Sequence, residues 1–136
     1  MISFLDDDDT FQPSKLSRVY DLFSADPDLC YYHHGQKFCN ANSEILSKFK
    51  LKRENPDNIK FENNRFMNLA SSINKSGRYV DSLWFNLSSV CVRKKIFNGK
   101  MDFVRRITGH SDDLMFYLAF SFLEKASLLN TNEPLT

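Results

Sequence analysis

Six cations, Arg93, Lys94, Lys95, Lys100, Arg105 and Arg106, fall around an Asn98-Gly99 pair, with Asp102 as the one carboxylate among them. That density of lysine and arginine suits the phosphates of a nucleic acid, to flanking backbone or in a minor groove. Upstream, Ser76, Arg78, Asp81, Ser82 and Phe85 carry base-edge chemistry. Arg78 matches guanine O6 and N7, Asp81 can accept from a cytosine amino group, and Phe85 can touch a thymine methyl. Lys75, with the amides of a helix start, would hold a phosphate. Lys48, Lys50, Lys52 and Arg53 add a basic arm.

The charge is unevenly spread. Of a net +1, residues 1–35 carry −5, residues 36–106 carry +9 and residues 107–136 carry −3. A basic centre between acidic ends fits a phosphate-binding module. The run Asp6 to Asp9 repels itself and could compete with DNA for that centre.

Other chemistry is thinner. Cys30, His33, His34 and Cys39 offer zinc ligands within ten residues, but a structural zinc site draws on two separated pairs and only Cys91 and His110 lie elsewhere. A buried thiol with partly exposed histidines is the preferred reading, with no metal and no cofactor. A Gly-rich phosphate loop, a nucleophile elbow and an HExxH pattern are absent from the sequence, so the chain is not read as an enzyme.

These residues need elements to position them. With 136 residues, 42% of them apolar, the chain supports one domain with a real core. Ser14 opens a helix whose Leu16, Val19, Tyr20 and Phe23 share an apolar face, and which must stop before Pro27. Cys30 to Cys39 reads as a short strand or a loop around Gly35, and Asn42 or Ser43 could cap another helix. Asp57 to Phe61 alternates as a short strand would. Phe66, Leu69, Ala70 and Ile73 then lie on one helical face, and Val80, Leu83, Trp84 and Leu87 on the next, with Asn74 to Gly77 as a turn. That is the pattern of a DNA-binding helix-turn-helix. Asn98-Gly99 predicts a β-hairpin on a type I′ turn, pairing Phe97 with Lys100, Ile96 with Met101 and Lys95 with Asp102. Ser111 caps a last helix, apolar on nearly all sides, which suggests dimerisation through residues such as Leu114, Phe116, Tyr117, Phe120 and Leu128.

The segment from Leu69 to Leu83, LASSINKSGRYVDSL, resembles the core of bacterial and archaeal winged helix-turn-helix regulators, LAxxhNxSxxYVxxL with h apolar. Leu69, Ala70, Ile73, Asn74, Ser76, Val80 and Leu83 carry the match; Lys75 and Gly77 depart from it. The likeness reaches from about Asn58 to Ile107 and implies a recognition helix followed by a basic wing.

The expected fold is therefore mainly α with a small β-hairpin, a winged helix-turn-helix with extra N- and C-terminal helices. Residues 1–12 form a disordered acidic N-terminus, 13–110 the winged domain with its N-terminal helix, 111–130 a C-terminal dimerisation helix and 131–136 a tail. The expected function is sequence-specific binding of double-stranded DNA by a homodimeric transcription regulator. Two alternatives stand beside it: a non-catalytic protein-binding adaptor or inhibitor on the same fold, and a plasmid or viral replication or partition protein. The lack of any long apolar run and the acidic opening MISFLDDDD predict a cytoplasmic address with no membrane partner, nucleoid-associated in a bacterium and nuclear in a eukaryote.

Overall fold

A computed structural model describes residues 1–46, 59–62, 86–106, 115, 118–119 and 127–136. Their framework is a five-stranded mixed sheet. In chain order the elements are β1 (Ile2–Ser3), α1 (Lys15–Ala25), β2 (Leu29–Gly35), β3 (Ile59–Glu62), β4 (Val90–Val92), α2 (Met101–Arg106) and β5 (Ser127–Pro134). The strands lie in the order β1-β4-β2-β5-β3. Three neighbouring pairs are antiparallel, and β2 runs parallel to β5.

This overturns the expected mainly α, winged helix-turn-helix class: the centre of the molecule is a sheet. β2, LCYYHHG, is buried almost throughout, as a strand covered on both faces must be. Alternate residues feed two cores. Tyr31, Val90, Val92 and Leu128 pack with Ile96 and with the helical residues Met115, Leu118 and Ala119 on one side. Tyr32, Cys91 and Leu135 pack with Val19 and Phe23 of α1 on the other. The period of two along β2 is what sends neighbouring tyrosines into separate cores.

α1 begins and ends where its sequence says, after Ser14 and before Pro27, though the Ser14 side chain makes no capping bond. Its buried stripe is Lys15, Val19 and Phe23. Leu16 and Tyr20, expected on that stripe, are 53% and 63% exposed. β3 confirms the strand read from the Asp57–Phe61 run. Residues 40–46 form no capped helix: Asn40 Oδ1 accepts from the amides of Asn42 and Glu44, and Cys39 bridges Ile45.

The hairpin is corrected. Lys94–Phe97 is a 3-10 turn and Met101–Arg106 is helical. Asn98 has φ −59° and ψ 120°, Gly99 has φ 70°, and the Lys100 amide bonds to the Phe97 carbonyl at 2.9 Å. That is a type II turn, which needs positive φ at Gly99 alone. A type I′ turn would carry the twist of two paired strands onward; here the turn joins two helical pieces and lets Ile96 enter the core instead.

Both ends differ from expectation. Ile2–Ser3 pairs with Cys91–Val92 at a sheet edge, so the opening residues are held. Residues 127–134, expected as the end of a helix and the start of a loose tail, are a strand inserted between β2 and β3. Leu135 and Thr136 are buried beyond it. The sequence cue misled because SLLNTNEP offers an apolar run that periodicity cannot assign to helix or strand. The helix-turn-helix segment Leu69 to Leu83 lies outside the described residues.

Candidate nucleic-acid interface

The surface that follows β4 is built by one turn of chain direction. Val92 enters the core, Arg93 turns inward, and Ile96 fills the hydrophobic cluster between Lys95 and Phe97. The type II turn at Asn98 and Gly99 then starts α2, whose Val104 leans on the same cluster. The polar remainder faces outward. Lys94, Arg105 and Arg106 are exposed, while Lys95 and Lys100 are half-buried. Asp102 is the only carboxylate of this run, and it pairs with Arg105 at 3.4 Å on an open surface. Residues 94–106 therefore carry five cations against one anion.

Arg93 behaves differently from its neighbours. Its Nε donates to the Leu29 carbonyl at 2.7 Å, and its Nη2 donates to the carbonyls of Phe23 at 2.7 Å and Asp26 at 2.9 Å. The guanidinium carbon also lies 5.2 Å from the Phe23 ring centroid. The last carbonyls of α1 form the negative end of its dipole, so a cation there is stabilised twice, by hydrogen bonds and by the helix field. Arg93 is a structural tie between α1, β2 and β4, and its donors do not face a ligand.

The acidic run sits elsewhere. Asp6 donates its amide to Ser88 Oγ at 2.8 Å, and Asn86 Nδ2 donates to Asp9 Oδ2 at 2.9 Å. Residues 86–88 precede β4, whereas the basic run follows it, so the two charge runs stand at opposite ends of that strand. Its three residues span about 10 Å, comparable with the screening length of physiological salt. The aspartates are thus held away from the cations they were expected to compete for.

Of the other expected DNA-contacting residues, Lys75, Ser76, Arg78, Asp81, Ser82 and Phe85 lie outside the described residues, as do Lys48, Lys50, Lys52 and Arg53. Phe103 was missed by the sequence reading. It is 56% exposed between the cations of α2. An aromatic residue inside an Arg- and Lys-rich run was the available signal.

The cysteine and histidine cluster resolves into strand packing. Cys30 is buried, Cys39 is exposed, and both are free thiols, as is Cys91. Burial pushes the Cys30 thiol up to about 11. His33 and His34 are fully buried, not partly exposed, and point to opposite faces of β2. His33 Nδ1 lies 2.7 Å from Asn130 Oδ1 across the parallel pairing. His34 Nδ1 donates to the Gly35 carbonyl at 2.7 Å, which leaves Nε2 as a buried acceptor with no partner. Burial drives its pKa down to about 3. Among the described residues no group of three His, Cys, Asp or Glu side chains could hold a metal ion.

A second buried cation lies on the α1 side of the sheet. Lys15 donates to the Ser88 carbonyl and, at 3.3 Å, to Thr136 Oγ1, and its Nζ stands 3.7 Å above the Phe11 ring. Burial lowers its pKa to about 8, against the opposing pull of Cys91 and Asp9. These bonds close the sequence ends over the sheet and leave no open groove for a substrate there.

Among the described residues no helix is long and apolar enough to cross a membrane. Comparison of the chain with protein-family models, curated proteins and solved structures gives no match.

Proposed function

We propose that this protein binds DNA through the phosphate backbone, using the Lys94–Arg106 surface, and acts as a non-catalytic regulator of the DNA it occupies. The carrying observation is that surface itself. Five cations and one anion sit on 13 consecutive residues, folded against the core by Ile96 and Val104, with the acidic run at the far end of β4. Such a surface releases counterions when it meets a polyanion, and that term supplies most non-specific affinity. The contacts come from a 3-10 turn and a short helix on a mixed sheet, in place of the expected wing.

The test is a titration of the full chain against mixed-sequence duplex DNA at about 50 mM and about 200 mM salt. A log–log salt slope equivalent to about four phosphates is expected from Lys94, Lys95, Lys100, Arg105 and Arg106, with Asp102 subtracting from the total. Absence of binding at the lower salt overturns the proposal.

A further inference from the structure

α2 presents an aromatic ring where a purely electrostatic surface would need none. Val104 is the residue of this helix that packs on the core. Phe103, its neighbour, points away and is 56% exposed, and Met101 is 46% exposed. On a helix, residues three apart lie on one stripe and advance about 4.5 Å along the axis. Lys100, Phe103 and Arg106 form such a stripe, with a cation on each side of the ring. The only carboxylate nearby, Asp102, lies on the adjoining stripe, paired with Arg105. The ring is therefore framed by positive charge and free of negative charge along its own line.

We infer that this stripe binds unpaired nucleotides, with the Phe103 ring stacking on a base while Lys100 and Arg106 meet the phosphates before and after it. The inference rests on the nucleic-acid reading above and narrows it to DNA whose bases are open, such as a single strand, a gap or a melted stretch. Two chemistries must be satisfied together: alternating negative charge, and a flat apolar face every few ångströms between charges. A single-stranded nucleic acid supplies both, and stacking needs no particular base because every base has a π-face. A closed duplex supplies only the first, because its bases are already stacked. A lipid surface supplies charge, but membrane-lying helices bury a long continuous apolar face. Here the apolar side of α2 is already taken by the core through Val104, leaving one ring and one thioether outside.

The experiment compares three DNA probes by fluorescence anisotropy with the full chain: a mixed-sequence duplex, the same duplex with an internal unpaired bubble, and the single strand. Anionic phospholipid vesicles form a fourth arm. The single strand and bubble each carry 2-aminopurine, whose emission falls when an aromatic ring stacks on it. Wild-type protein is expected to favour open over closed DNA and to quench the probe. Phe103→Ala is expected to lower single-strand affinity by about tenfold, with an unchanged salt slope and no quenching. Arg106→Ala is expected to reduce the slope by about one phosphate while quenching persists. Both side chains are exposed, and circular dichroism confirms that the variants are folded.

Equal affinity of Phe103→Ala and wild type for every probe, with salt-dependent binding intact, overturns the stacking inference and leaves the DNA reading standing. Absence of binding to all DNA probes at low salt overturns both. Vesicle binding that depends on Phe103, without DNA binding, assigns the stripe to a lipid surface instead.

Discussion

Arg93 Nη2 lies 2.7 Å from the carbonyl oxygen of Phe23, which sets one member of the basic run inside the protein. A count of cations along the sequence treats Arg93 and Lys94 alike, yet the first holds the end of α1 and the second is exposed. The two substitutions should therefore fail in different assays. Arg93→Ala is expected to lower stability by about 3 kcal/mol, because three carbonyls lose a charged donor. Urea unfolding measures this. The salt slope of DNA binding should stay the same, measured where the variant is folded. Lys94→Ala with Lys95→Ala should do the reverse: stability within about 0.5 kcal/mol of wild type, and a slope smaller by about two phosphates.

His34 should make the fold sensitive to acid. Its folded pKa is about 3 against an ordinary 6.5, because burial disfavours the imidazolium. Between these values the unfolded chain binds a proton that the folded chain does not. Stability from this residue is thus complete above 6.5 and declines as pH falls toward 3, at up to about 1.4 kcal/mol per pH unit. His34→Gln cannot titrate there, so its urea midpoint should fall less steeply with acid than that of wild type. Parallel curves would show that the imidazole is not the sensing group.

Lys15 gives the opposite window. Its pKa is lowered to about 8, so between about 8 and 10.5 the folded amine is neutral while the unfolded one is still charged. The burial penalty is greatest below 8 and is relieved as pH rises through that range. Lys15→Met keeps most of the side-chain volume and removes the charge, and Thr136 Oγ1 still donates to the Ser88 carbonyl at 3.1 Å. The stability of the variant relative to wild type should therefore decrease as pH rises from about 8 to about 10. A constant difference across that range contradicts this account. Comparing the two proteins removes the contribution of Cys30, which titrates in both.

Two glycines should respond to alanine for different reasons. A methyl group at Gly35 would stand 2.6 Å from the Asn132 carbonyl oxygen and 3.0 Å from its carbon, where β2 and β5 approach closely. Gly35→Ala must push two backbones apart, and a loss of about 3 kcal/mol is expected. At Gly99 nothing lies within 4 Å, but φ is +70°. Gly99→Ala should cost about 1 kcal/mol through backbone strain alone. Thermal melts of the two variants should rank them in that order.

The sequence made some of this visible. α1 is marked by Ser14 and Pro27, signals that act within a few residues and need no tertiary partner. β3 shows in the alternation of Ile59, Lys60 and Phe61. The pattern failed where long-range neighbours decide. Asn98-Gly99 is compatible with several turn types, and the burial of Ile96 selects one that ends the strand direction. Leu128 and Leu129 suit a helix as well as a strand until β2 and β3 are placed beside them. Lys15 and Arg93 read as surface cations because their acceptors, the carbonyls of Ser88, Phe23, Leu29 and Asp26, carry no sequence signature. Of the interface, the cations were legible from composition; the exposure of Phe103 was not, because Val104 beside it is the residue that packs on the core.

The insertion of β5 between β2 and β3 bears on how the protein is made. While the nascent chain is still short of residue 127, β2 and β3 have no strand to join them, since both pair with β5. One long edge of β2, carrying Leu29, Tyr31 and Tyr32, must then wait with its backbone groups unpaired. That edge invites pairing with other chains, so the interval before residues 127–134 leave the ribosome is the time of greatest need for a chaperone. Slowing translation ahead of Ser127 should raise the aggregated fraction, whereas the same delay after Pro134 has emerged should leave it unchanged.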